Sequence, residues 1–274
     1  MPLYQAIVLA IVQGLTEFLP ISSTAHLTLF PWFLHWEDPG LTFDVALHAG
    51  TLVAVLLYFW RMWVDMIAAA AGFGDRNDPK VSEHRRLFWL LVVGTIPAGI
   101  VGFLFEKSAE TKFRDPMVIG TALIVVGLLM WAADRTGDRS MTLDRVGWGE
   151  TILVGLSQAI AVIPGVSRSG ITMTAGLFRG MTRETAARFS FLLSTPIIAG
   201  AVLKKGLEVH HEGMPPDMKL PFLVGIIVSG IVGYLVIAWL IRFLSHRSFK
   251  VFVVYRIVLG VIVLTAGWGL LRHG

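Results

Sequence analysis

The chain has 274 residues, 55% hydrophobic and only 15% charged, with a mean hydropathy of +0.70, values that exclude an ordinary soluble domain and point to an integral membrane protein. Zero cysteines exclude disulfides, thiolate metal sites and a cysteine nucleophile. The net charge of +4 comes from Lys and Arg residues flanking apolar spans, which fits basic loops beside anionic membrane lipids and argues against a nucleic-acid partner.

No long polar tract or low-complexity linker divides the chain, so 1–274 reads as a single membrane domain. The start, Met-Pro-Leu-Tyr-Gln, lacks a basic n-region, and no removable signal peptide is expected. The first apolar stretch, Leu3 to about Trp36, is broken at Pro20-Ile-Ser-Ser-Thr24 and reads as a helix, a turn and a returning helix rather than a full crossing. A first span follows at Phe43 to Trp60, with polar residues that should face protein. The run Phe73 to Arg86 reads as a mixed-charge loop, and Leu87 to Phe105 and Met117 to Ala133 as two further spans. Trp148 to about Gly180 repeats the broken pattern, interrupted at Pro164-Gly-Val-Ser-Arg-Ser169. Phe189 to Leu203, Leu220 to Ile241 and Ile257 to Leu271 complete the set. The expectation is an all-α polytopic membrane protein with six transmembrane helices and two re-entrant helical hairpins.

Ser23 and Phe43 stand in the same spacing as Ser169 and Phe189, an offset of 146, which divides the chain into repeats of about 1–134 and 147–274. A broken hairpin plus three spans per half inverts the second half relative to the first and brings the two polar breaks together near the midplane. Arg61, Arg76, Lys80, Arg85, Arg86, Arg135, Arg139, Arg145, Arg242, Arg247 and Lys250 fall on one side of this arrangement. The other side carries Lys107, Lys112, Arg114, Lys204, Lys205, Lys219 and Arg272. The richer side is cytoplasmic by the positive-inside rule, which places both termini outside, with the first hairpin opening outward and the second inward.

A charge inside hydrocarbon costs about 3 kcal/mol on insertion scales, so the polar residues at the breaks are expected to be functional. Gln13 and Glu17 share a helix face one turn apart, and a carboxylate at Glu17 can ligate a hard cation such as Mg²⁺ or act in proton transfer. Ser22, Ser23 and Thr24 are good N-cap residues, with His26 one turn on: either a nucleophile with its base, or a cap beside a core histidine. In the second break Gly165 and Gly170 bracket Val-Ser-Arg-Ser at a helix start, where free N–H groups attract anions. Arg168 adds a planar fork matching phosphate oxygens, and Ser167, Ser169 and Thr172 add donors. Together these groups describe phosphoryl chemistry on a lipid, with Arg168 and Mg²⁺ stabilising charge and His26 handling a proton.

The pattern (Glu or Gln)-x-x-x-Glu, then Pro-x-Ser-Ser-Thr-x-His, with Pro-Gly-x-Ser-Arg-Ser-x-x-Thr in the second half, resembles the bacterial undecaprenyl-pyrophosphate phosphatase family over essentially the whole chain. The resemblance implies removal of one phosphate from a C55 polyprenyl diphosphate in the bacterial inner membrane, regenerating the carrier for peptidoglycan and other envelope polymers. It also implies bacitracin resistance, a divalent cation (Mg²⁺, with Ca²⁺ as the alternative), and compatibility with a homodimer. It assigns Glu17 and Gln13 to the metal-associated motif, Ser23 as nucleophile, His26 as acid/base, and Arg168 with Ser167, Ser169 and Thr172 to phosphate binding. Many members carry Glu where this chain has Gln13, whose amide brings no negative charge. A transporter or flippase that binds the same head group without cleaving it is the alternative, because broken helices in inverted repeats also serve alternating access.

Asp44 and His48 share a face of the next helix and could join the site, although a polar face packed on the first hairpin is the simpler reading. Arg256 is expected to snorkel to the surface, His210-His211 to sit in a polar loop, and Trp32, Trp36, Trp60, Trp63 and Trp148 to mark the membrane interfaces.

Overall fold

The computed structural model describes residues 1–75, 77–110, 112–213 and 215–273. Its helices are α1 (Leu3–Thr16), α2 (Ser23–Leu34), α3 (Gly40–Tyr58), α4 (Trp60–Ala70), α5 (Pro79–Glu110) and α6 (Pro116–Thr136), followed by α7 (Trp148–Ile160), α8 (Arg168–Phe178), α9 (Arg183–Glu212), α10 (Pro216–Leu244) and α11 (Lys250–His273). Among the described residues no strand forms beyond an isolated bridge between Met141 and Met181. α3, α5, α6, α9, α10 and α11 are long and apolar enough to cross a bilayer, and the chain is a multi-pass membrane protein. Large apolar side chains on the outside of these helices, Phe103, Leu203, Leu235 and Val251 among them, are exposed, as hydrocarbon allows and water would not.

The four helices at the polar breaks are short. α1 has 14 residues and reaches roughly 21 Å at 1.5 Å per residue; the hydrocarbon core is about 30 Å thick. α2, α7 and α8 are shorter still. Helix starts follow local chemistry: Asp115 caps α6, with its side chain accepting from the Met117 N–H ahead of a first-turn proline, and the Thr182 hydroxyl caps α9 by accepting from the Thr185 N–H.

Packing places α10 between α1 and α3, and α5 between α7 and α9. α6 lies along α11, α3 along α9, and α8 rests on α6, α7 and α9. Matching the helices of the two halves by chain order pairs α1 with α7, α3 with α9 and α5 with α10. The α1–α10 contact then maps onto α7–α5, and α3–α10 onto α9–α5. The turn after α1 is anchored by Phe18, which meets Phe191 of α9 edge-on at 5.2 Å within the largest apolar cluster.

Three expectations change. α5 begins at Pro79 and so takes up the second half of the run Phe73 to Arg86 expected as a loop. α9 continues past Pro196 to a cap at Gly213, at φ +82°, so His210 and His211 lie in its last turn rather than in a loop. Arg256 does not snorkel: it is fully buried, because backbone carbonyls deep in the structure surround its guanidinium.

Candidate active site

Both breaks are built on the same device. α1 ends at Thr16, and the Glu17 N–H still donates to Gln13 O at 2.9 Å. After Pro20 the chain restarts as α2, with Ser22 as cap and its Oγ accepting from the Ala25 N–H. In the second break Ser167 caps α8, its Oγ accepting from the Gly170 N–H at 3.0 Å. Both cap serines hold positive φ, 79° and 70°. That backbone costs about 1 to 3 kcal/mol at each non-glycine residue and persists only where the surroundings enforce it.

The surroundings are each other. The Gly165 N–H donates to Ser22 Oγ at 3.1 Å, and Ser169 Oγ donates to Leu19 O at 3.0 Å. Gly165 has φ +92°, and a Cβ there would lie 2.5 Å from Ile119 O, so only glycine lets this turn press against α6. The two cap serines, Ser22 and Ser167, stand 145 residues apart, whereas Ser23 and Ser169 stand 146 apart. An extra residue separates Pro164 from its cap, so Arg168 takes the first helical position that Ser23 holds in α2.

Glu17 is the hub. Its Oε2 accepts from Ser23 Oγ at 2.6 Å and Gln13 Nε2 at 3.1 Å, and lies 3.3 Å from His48 Nε2. Its Oε1 pairs with Arg168 Nη2. The other ring nitrogen of His48 faces Asp44 O at 2.7 Å, so both nitrogens meet acceptors, as the two N–H groups of an imidazolium would. Glu17 is 5% exposed, and removing one partner of such a buried pair costs several kcal/mol, about 3 to 5, by stranding a charge. Among the described residues the Arg168 guanidinium has no other protein acceptor, which leaves it donors for an incoming anion.

These groups line a cavity of about 530 Å³. Glu17, Ser22, Ser23, Thr24, Ser167 and Arg168 form its polar end with His48 and Asp44. Arg114, Lys204, Lys205 and Glu208 also border it, and Arg114 pairs with both Asp38 and Asp44. The apolar wall comes from α5 and α9, where Gly99, Gly102 and Gly200 follow Pro97 and Pro196. An added Cβ would meet nothing at Gly102 or Gly200, so these glycines leave open space rather than seat a neighbouring helix. The wall reaches the outside of the bundle at Phe103, which is 76% exposed.

The remaining sequence candidates lie behind the cavity. Gln13 is fully buried against Glu17, with Oε1 unpartnered. Gly165 and Ser169 hold the turns together as described, and Thr172 Oγ1 donates to Arg168 O and meets Ser190 Oγ at 2.7 Å. His26 is turned away from the cavity. Its Nδ1 donates to Ser22 O at 2.7 Å, its Nε2 meets the Tyr255 hydroxyl at 2.7 Å, and its ring stacks on Tyr255. The imidazole that does reach Glu17 is His48, from α3.

Sequence reasoning also passed over Gln158. It lines the cavity from α7, is 2% exposed, and has neither amide atom hydrogen-bonded. The spacing held the signal, because Gln158 precedes Ser167 by the same nine residues that separate Gln13 from Ser22.

Comparison with known proteins adds an independent line. The family described as "Bacitracin resistance protein BacA" matches residues 6–262. The undecaprenyl-diphosphatase of Moorella thermoacetica is 52% identical over 269 residues, covering 98% of this chain and 99% of that one. That of Desulforudis audaxviator is 50% identical over 262 residues, 95% and 96% of the two chains, and that of Geobacter sulfurreducens 48% over 270 residues, 96% and 98%.

Proposed function

The chain belongs to the bacitracin resistance protein BacA family, and on that premise we propose that it hydrolyses undecaprenyl diphosphate to undecaprenyl phosphate and inorganic phosphate in the bacterial cytoplasmic membrane. The observation that carries the reading is the Ser23 hydroxyl held at 2.6 Å on Glu17, with Arg168 on the same carboxylate, in a cavity whose far wall is the apolar face of α5 and α9. A nucleophile, its base and a cation for the developing charge are the parts that phosphoryl transfer needs.

The diphosphate enters between the N-termini of α2 and α8, whose free N–H groups and dipoles favour anions, and Arg168 takes the phosphate oxygens. Ser23 Oγ attacks the terminal phosphorus as Glu17 accepts its proton. The bond from that phosphorus to the bridging oxygen breaks, and undecaprenyl phosphate leaves. Water then attacks the phosphoserine and the bond from phosphorus to Ser23 Oγ breaks; Glu17 returns its proton to Oγ, and the protons of the water leave with inorganic phosphate. His48 and Gln13 fix the carboxylate so that its oxygens meet Ser23 and Arg168 together. The isoprenoid tail lies along the glycine-lined wall between α5 and α9 and leaves the bundle beside Phe103.

The site suits a divalent cation, Mg²⁺ first. The cavity-lining carboxylate of Glu17 is a hard oxygen ligand, whereas Gln13, with its unpartnered Oε1, is buried behind it. Among the described residues no group of three His, Cys, Asp or Glu forms a closed cage, so substrate oxygens would complete the shell. A bound cation would neutralise charge on the phosphate oxygens.

The exchanged helix contacts and the paired cap serines support the inverted repeat and the re-entrant reading of both hairpins. The loop charges support outward-facing termini and a cavity open to the outer face, since Arg114, Lys204 and Lys205 border it.

The test is phosphate release by purified protein in detergent, with Mg²⁺ and farnesyl or undecaprenyl diphosphate. One phosphate per lipid, with the monophosphate as product, is expected. Tight binding without release would make the protein a carrier.

A further inference from the structure

Arg256 is a guanidinium buried to 0% exposure in α11, with no carboxylate partner among the described residues. Its donors go to backbone. Nη1 bonds Pro20 O at 3.0 Å in the first turn, and Nη2 bonds Gly165 O at 2.8 Å and Val166 O at 3.0 Å in the second. Nε reaches Leu123 O at 3.2 Å, and Nη2 also lies 3.4 Å from Ala122 O, both in α6. Three segments distant in sequence thus meet on one side chain.

The chemistry explains why a charge is tolerated here. A broken helix leaves carbonyls without intrahelical donors, and inside a bilayer no bulk water replaces them. The five N–H groups of arginine can serve several carbonyls at once from a rigid plane, which the three N–H groups of a lysine ammonium cannot reproduce.

We propose that Arg256 is a positioning residue for the phosphatase reaction: it locks the first turn, carrying Ser23, against the second, carrying Arg168, so that nucleophile and cation meet one phosphate. The inference rests on the reaction proposed above for its kinetic consequence, while the geometry it asserts can be tested without turnover.

The chain has no cysteine, so spin labels can be placed at Phe33→Cys and Phe178→Cys, exposed positions on α2 and α8. In Arg256→Lys the interlabel distance distribution is expected to broaden. With farnesyl diphosphate, kcat is expected to fall about 30-fold or more while KM stays within about threefold, the pattern of lost alignment rather than lost binding. The melting temperature should stay within about 4 °C of the parent. If Arg256→Lys does not fold, Gly127→Val is the second variant, because a Cβ at Gly127 already lies 3.3 Å from Arg256 Cβ and displaces the side chain without deleting it. The same broadening and a fall in kcat of about threefold or more are expected there.

A kcat within about twofold of the parent in a folded variant would overturn the proposal. So would a loss of kcat with an unchanged distance distribution, since the two turns would then hold their places without the Arg256 contacts. A parent protein that releases no phosphate would instead refute the phosphatase reading and leave the distance measurement to judge the clamp.

Discussion

The turn that ends at Ser22 and the turn that ends at Ser167 share their backbone and differ in what they carry. Each closes on a serine at positive φ whose hydroxyl caps the next helix, and each touches the other. Five residues ahead of the cap, the first turn has Glu17 where the second has Val162, and one residue past it the first has Ser23 where the second has Arg168. In the reaction proposed above, base and nucleophile come from one turn and the cation from the other. The two turns share a strained helix start and differ in the side chains that they bring to it.

The sharpest way to break this comparison is to exchange the charges. Glu17→Ala and Arg168→Ala are each expected to lower kcat/KM about 100-fold or more, the scale of a lost transition-state contact. The double variant Glu17→Arg with Arg168→Glu restores an ion pair but is expected to remain at least about 100-fold down. Recovery in the phosphate-release assay would make the two turns interchangeable.

Next comes the contrast between hydroxyls. Ser23→Ala is expected to cost about 100-fold or more in kcat, whereas Ser169→Ala, which loses a bond to Leu19 O outside the cavity, should cost about tenfold or less. Equal losses would remove Ser23 as nucleophile.

The two histidines differ in the same sense. His48→Gln is expected to reduce kcat about tenfold or more by freeing the Glu17 carboxylate, and His26→Phe, which keeps the stack on Tyr255, by about fivefold or less. A larger loss at His26 than at His48 would return the acid/base role to α2.

The smallest effect concerns the shared backbone. Ser22→Ala and Ser167→Ala should each destabilise by about 1 kcal/mol through loss of a cap, lowering the melting temperature by about 2 to 4 °C. Ser167→Gly should cost less, because glycine accepts the positive φ. Thermal unfolding in detergent decides whether the caps are equivalent.

The spans and the breaks were legible because hydropathy and proline act locally. The Glu17–Arg168 pair was legible too, since opposite charges placed deep in apolar sequence need each other. What failed was rotational phase and register. His26 is one turn from Ser22 along α2, but the phase of that helix turns it to α11, and the imidazole at the carboxylate is His48 of α3, which the sequence offered only as the less simple of two readings. The extra residue in Pro164-Gly-Val-Ser167 shifted the repeat by one and hid the pairing of Ser23 with Arg168. Arg256 was read as a surface residue because arginine usually snorkels. The counter-signal was available: two breaks inside apolar sequence expose carbonyls that need a buried donor.

The glycines of the α5–α9 wall carry a consequence for kinetics. Because that wall reaches the hydrocarbon at Phe103, an isoprenoid can slide sideways into place with its far end still solvated by acyl chains, and the enzyme never has to lift a C55 molecule out of the bilayer. Encounter is then two-dimensional. Half-saturation should follow the mole fraction of substrate in the membrane rather than its bulk concentration, and adding inert phospholipid at constant total substrate should slow the reaction by surface dilution alone.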